Sequence, residues 1–172
     1  KAILINSKQF TYHYNLGISL RLNLHNDAAE SSGYFQTLPT NSVFTEPNLY
    51  SGQSVIMYCF AEKKGFSKFG KYFGNSNADG TFVYTGFKPS MVIVKDRDVN
   101  QWQMFDSKRG RNGLMGFLYP DSAETESSSV PMDILSNGFK FRDASVARNG
   151  SGEQYLYMAF AILCLFLFFK DY

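Results

Sequence analysis

The chain of 172 residues is 17% aromatic and 19% charged, which excludes a disordered polymer and favours a globular, β-rich body. Its formal charge of +2 gives no electrostatic basis for binding nucleic acid or an anionic membrane, so neither is expected as a partner. Cys59 and Cys164 form no CxxC pair, which removes the commonest zinc and thiol-redox motifs and leaves Cys59 as a reduced, buried thiol.

Short runs of β-branched and aromatic residues recur along the chain, each bounded by Gly, Asn, Asp, Ser or Pro, and no helical apolar period competes with them. In chain order the predicted strands are 2–5, 10–14, 18–24 and 55–61, then 68–72, 81–84, 91–95, 102–106, 116–119, 132–135, 139–142 and 155–160. Asn77-Ala78-Asp79-Gly80, Asn112-Gly113, Asn137-Gly138 and Asn149-Gly150-Ser151-Gly152 supply the residues that close hairpins. The last run places Tyr157, Ala159 and Ala161 on one face and Leu156, Met158 and Phe160 on the other, so both faces are apolar and the strand belongs inside a sheet. Strands this short and this evenly punctuated predict an all-β fold, an antiparallel β-sandwich.

Ser51-Gly52-Gln53-Ser54-Val55-Ile56-Met57-Tyr58-Cys59-Phe60-Ala61 returns 100 positions later as Ser151-Gly152-Glu153-Gln154-Tyr155-Leu156-Tyr157-Met158-Ala159-Phe160-Ala161. An acidic, serine-rich patch precedes each copy, beginning at Asp27 and at Asp121. A period of this size marks a tandem β unit, because duplication preserves buried strands first. The expected organisation is therefore 1–62 as the C-terminal part of a preceding repeat, 63–161 as a complete sandwich module, and 162–172 as an apolar tail of unassigned role. Lys1 opens the chain with no basic-then-apolar leader, so a fragment of a longer polypeptide is expected. The apolar stretch 155–169 is 15 residues long, short of the roughly 20 that span a bilayer as a helix.

Few residues carry chemistry. Asn75, Asn77 and Asp79 imitate the first half of a calcium loop, but the twelfth position, where an EF-hand places Glu, is Gly86, so an Asp-Gly hairpin tip is the competing reading. Asp96, Asp98 and Asp106 could form the carboxylate pair of a glycan depolymerase, against the reading of Asp96-Arg97-Asp98 as a solvated loop. His13 and His25 lack a neighbouring nucleophile or metal-ligand cluster. In 63–73, lysines alternate with aromatic rings, as in a nucleic-acid groove or in a strand with lysines outward, and the second reading is favoured. Trp102 with Tyr72, Tyr84 or Tyr119 could form a sugar platform, although Trp is more often a core anchor. The sequon at Asn149 reads as a turn. No catalytic residue and no cofactor is assigned. Ligand-binding candidates are Trp102, Asp96, Asp98, Arg109 and Arg111, on the loops 96–101 and 108–113, with 75–80 as a third candidate loop.

The phrases Tyr58-Cys59-Phe60-Ala61-Glu62-Lys63-Lys64-Gly65-Phe66-Ser67-Lys68-Phe69-Gly70, Gly74-Asn75, Asp79-Gly80-Thr81-Phe82-Val83-Tyr84-Thr85-Gly86-Phe87-Lys88-Pro89, Ser136-Asn137-Gly138-Phe139-Lys140-Phe141-Arg142 and Tyr157-Met158-Ala159-Phe160-Ala161 resemble a tandem module of marine bacteriophage structural proteins. The resemblance covers about 51–161 and departs from the family's pattern at Ile162, where a Glu like Glu62 is expected. It implies a concanavalin-like or jelly-roll sandwich, without an enzyme's active site, in a virion tail fibre, appendage or capsid decoration. The implied partners are other virion proteins, further copies of the chain and a host-surface glycan. A lectin-like carbohydrate-binding module and a glycan depolymerase are the alternatives.

Overall fold

Hairpin punctuation and period-two alternation organise the chain into antiparallel strands throughout the described residues, and no helix occurs among them. The computed structural model describes 2–6, 10–13, 20–23, 31–32, 57–108 and 116–162, with side chains over 60–108 and 116–162. The N-terminal strands are β1 (Ala2–Asn6), β2 (Phe10–His13), β3 (Leu20–Asn23), β4 (Ser31–Ser32) and β5 (Met57–Ala61). Then come β6 (Ser67–Phe73), β7 (Phe82–Tyr84), β8 (Met91–Asp96), β9 (Gln103–Asp106), β10 (Phe117–Leu118), β11 (Met132–Leu135), β12 (Gly138–Phe141) and β13 (Gln154–Phe160).

The C-terminal strands form a β-sandwich, a five-stranded sheet in the order β10-β9-β8-β13-β6 and a three-stranded sheet in the order β11-β12-β7. β13 lies between β8 and β6, so its backbone hydrogen bonds are satisfied on both sides and both its faces are covered. Tyr155, Tyr157 and Ala159 face the three-stranded sheet and share a core with Tyr72, Val92, Val94, Phe105, Phe117, Met132, Phe139 and Phe141. Leu156 and Met158 point the other way, into a second cluster with Phe69 and Trp102 against which Phe60, Ile93 and Phe160 pack. Gly70 is opposite Tyr157 in the β6–β13 pairing, and a Cβ there would lie 2.7 Å from the tyrosine ring. The strand interior takes glycine so that the ring can rest on backbone.

Four strands of the first sheet, β3-β2-β1-β5, repeat the order β10-β9-β8-β13 of the second. Phe60 of the first copy of the repeated run is opposite Ile3, and Phe160 of the second is opposite Met91. From there the registers run in parallel: Ile3 meets His13 as Met91 meets Asp106, and Thr11 meets Leu22 as Met104 meets Leu118. Even the edge corresponds, since Arg21 meets Ser31 in β4 where Phe117 bridges to Ser127. A shift of one residue would break every one of these correspondences, so the two copies share one backbone register.

The tyrosine hydroxyls of the core are used as carefully as the rings. Tyr72 stacks on Tyr155 at 5.0 Å between centroids and donates to the Arg148 carbonyl at 2.8 Å, while Tyr155 donates to the Val146 carbonyl at 2.5 Å. Burial holds the Tyr155 and Tyr157 phenols up to about 12 from an ordinary 10.0, and burial, with Tyr155 beside it, holds Tyr72 well above its ordinary value. Folded values above unfolded ones mean that this stabilisation is complete below pH 10 and drains away as pH rises toward about 12. Tyrosinate absorbance followed against pH should therefore show these three phenols ionising with the unfolding transition. Titration near pH 10 with the fold intact would contradict the burial.

Candidate functional site

One end of the sandwich gathers the connections 74–81, 97–102, 119–126 and 142–153, and most of the sequence-predicted ligand residues lie there. β8 ends at Lys95-Asp96, and strand alternation turns Lys95 to the outer face, opposite Leu156. Lys95 is 0% exposed, so its ammonium must be neutralised where it stands. It donates to Asp96 Oδ1 at 2.7 Å, the Asp96 carbonyl at 3.0 Å and the Asp98 carbonyl at 2.5 Å, using all three of its hydrogens. Asp96 Oδ2 accepts from Asn100 Nδ2. The expected solvated loop is thus corrected at Asp96, which is a buried counter-ion closing a strand, while Asp98 has an exposed side chain.

Asp106 ends β9, and its Oδ1 accepts the Lys108 amide at 2.9 Å. It pairs with Met91, whereas Asp96 lies five residues further along β8, which puts roughly 17 Å of strand between the two carboxylates. Glycosidase pairs need about 5–10 Å. Trp102 is 2% exposed, with its ring in the outer cluster and its amide donating to the Asp121 carboxylate at 3.1 and 3.2 Å. It offers no open ring face and does not meet Tyr84, which lies on the three-stranded sheet. Arg109 and Arg111 lie outside the described residues, as do His25 and Cys164.

The 75–80 connection is tied together by its own side chains. Asn75 Oδ1 accepts the Asn77 amide at 3.0 Å and Asn77 Oδ1 accepts the Asp79 amide at 2.9 Å, two successive Asx turns. The Asp79 carboxylate lies 2.7 Å from Lys140 Nζ and 2.5 Å from Arg142 Nη1. Lys140 first and Arg142 second hold its carboxyl below the ordinary 3.8. The oxygens read as calcium candidates thus serve turn amides and two cations. Among the described residues no group of three or more His, Cys, Asp or Glu could hold a metal ion. Asn149 is 0% exposed and its Nδ2 donates to two carbonyls, so the sequon nitrogen is enclosed in the folded protein.

The opposite end carries a cleft of about 440 Å³ whose lining includes Glu62, Lys63, Lys64, Lys68, Tyr84 and Phe87. Its floor is built by the β7–β8 connection, where the amides of Thr85 and Gly86 donate to the Asn137 carbonyl at 2.9 and 3.1 Å. Gly86 adopts φ 83°, a left-handed conformation that glycine takes without strain. Its wall is the turn between β5 and β6, closed by reciprocal Lys63–Ser67 backbone bonds of 3.1 and 2.9 Å. Lys68 Nζ donates to the Tyr84 carbonyl at 2.9 Å and sits 5.0 Å from the Tyr84 ring centroid. Lys63 and Lys64 have no ion-pair partner among the described residues.

A family model described as a domain of unknown function, DUF7483, matches residues 1–162. The chain belongs to the DUF7483 family. Comparison with curated proteins and with solved structures gave no match. The DUF7483 match runs through the expected 62/63 boundary and takes in both related sheets and the cleft between β6 and β7. Within this DUF7483 span, the 63–73 run signalled lysines beside rings, but Lys68 and Lys71 prove to lie on a strand with different exposures, Lys68 half-buried over Tyr84 and Lys71 exposed. The partnership with Tyr84, 16 residues away, had no local signal.

Proposed function

We propose that this chain is a non-enzymatic structural module of a phage virion, from a tail fibre, appendage or capsid decoration, whose work is to fold rigidly and stack in tandem. The observation that carries the reading is the shared register of the two sheets, from Ile3–Phe60 and Met91–Phe160 out to the Ser31 and Ser127 edges. A unit copied with its pairing intact is a building block. The polar groups inside it point the same way. Lys95 and Asp96, Arg148 and Asp143, and Asn149 are joined to one another or to backbone in networks that fix connections. The virion setting rests on the resemblance carried by the phrases from Tyr58 to Pro89 and from Ser136 to Arg142.

The test is to locate the polypeptide in purified particles of a phage that encodes it, by peptide mass spectrometry and a density map. The expected result is stoichiometric, symmetry-related density that fits the sandwich. Its absence from washed particles, or turnover of a glycan by the purified chain, would remove the proposal.

A further inference from the structure

The geometry points to the cleft at the β5–β6 turn as a binding site for an acidic polysaccharide, a chain of uronic-acid type with one carboxylate per sugar ring. This goes beyond the structural role and does not depend on the virion setting.

Three ammonium groups, from Lys63, Lys64 and Lys68, line the cleft with a single carboxylate, Glu62, so the lining is net cationic. Lys63 and Lys64 ride on a turn fixed by two backbone hydrogen bonds and by Ser67 Oγ, which accepts from the Lys63 amide at 3.1 Å and donates to the Ala61 carbonyl at 2.8 Å. Their charges are held on a preformed support, which lowers the ordering cost of binding. Tyr84 is 57% exposed, large for an aromatic side chain, and lies beside Lys68. An open ring next to ammonium groups suits a ligand with an apolar ring face and an anionic substituent. A volume of about 440 Å³ falls within the size of sites that enclose small ligands.

Sugar is favoured over nucleic acid on two grounds. A single-stranded nucleic acid follows a file of rings along a cationic track, whereas the cleft offers one exposed ring on a chain of net charge +2. Glu62 also accepts hydrogen bonds from hydroxyl groups, of which a uronic acid carries several on each ring and a nucleic-acid backbone at most one per nucleotide. Because the wall is the turn that leads from one repeat into the next strand, a tandem array would carry one cleft at each such junction. A polymer with repeated carboxylates could then engage several clefts at once.

The experiment uses the whole chain and alginate oligosaccharide as probe, with dextran and single-stranded oligo-dT as comparisons, by calorimetry at low salt. The expected result is binding of alginate but not dextran, weakened at least tenfold in K63E/K64E and at least fivefold in Tyr84→Ala. Tyr84 is exposed, and Lys63 and Lys64 have no ion-pair partner among the described residues, so the variants should keep the wild-type unfolding midpoint, which is measured alongside. Failure to bind alginate, affinity unchanged in either variant, or oligo-dT binding as tight as alginate would each overturn the assignment.

Discussion

Asp96→Ala should destabilise the folded chain by about 3–5 kcal/mol, the usual cost of leaving one member of a buried ion pair alone. Lys95 is fully buried, and Asp96 supplies both a carboxylate oxygen and a backbone carbonyl to its ammonium. Removing the carboxylate leaves the charge in the outer layer with only carbonyl oxygens around it, and Asn100 loses its acceptor as well. Asp96→Asn should cost less, because an amide oxygen still accepts from Lys95. The double change Lys95→Met with Asp96→Leu should recover most of the loss, since removing both charges removes the desolvation penalty along with the pair. Urea unfolding of the full chain reads all three. An Asp96→Ala midpoint equal to wild type would mean that Lys95 reaches water, and Asp96 would again be open to a ligand or catalytic role.

Asp96 also shows where sequence reasoning stops. Strands announced themselves because β-branched and aromatic runs alternate with Gly, Asn and Asp, and the predicted 55–61 and 155–160 strands appear as β5 and β13 in matching registers. β4 went unread because Ser31-Ser32 is a two-residue polar edge held to β3 through backbone pairing, and such a strand leaves no side-chain pattern. The run Asp96-Arg97-Asp98 resembles a loop in composition. Only the β8–β13 register, which sets Lys95 opposite Leu156, shows that the preceding lysine is buried and claims the aspartate. Trp102 was legible as an anchor but not as part of a second apolar layer, since that layer needs Phe69, Leu156 and Met158 from two other strands. The cleft was half-legible. Its lysines are contiguous in sequence, while Tyr84 arrives from the other sheet.

Asn149→Ala should cost about 1–3 kcal/mol, because a fully buried side chain with three hydrogen bonds to partly buried backbone groups is lost. The Asn149 Oδ1 accepts the Asn75 amide at 3.1 Å, and its Nδ2 donates to the carbonyls of Asn77 at 3.0 Å and Asp143 at 2.6 Å. One side chain thus ties the 75–80 connection to the 142–153 connection. Gly80 gives it room, because a Cβ there would collide with Nδ2. Asn149→Asp keeps the shape but turns a carboxylate oxygen toward two carbonyl oxygens, so at neutral pH it should be worse than alanine. The introduced carboxyl would hold its proton more tightly in the folded state than in the unfolded one. By linkage its penalty then shrinks in acid and grows as pH rises past the ordinary carboxylate range of about 4. Asn149 lies at the end of the sandwich away from the Lys63–Tyr84 cleft, so alginate affinity measured well below the unfolding midpoint should stay at the wild-type value in both variants. Equal stability of Asn149→Asp and wild type at neutral pH would mean that the side chain is not enclosed, and the 75–80 loop would then owe its order to its Asx turns alone.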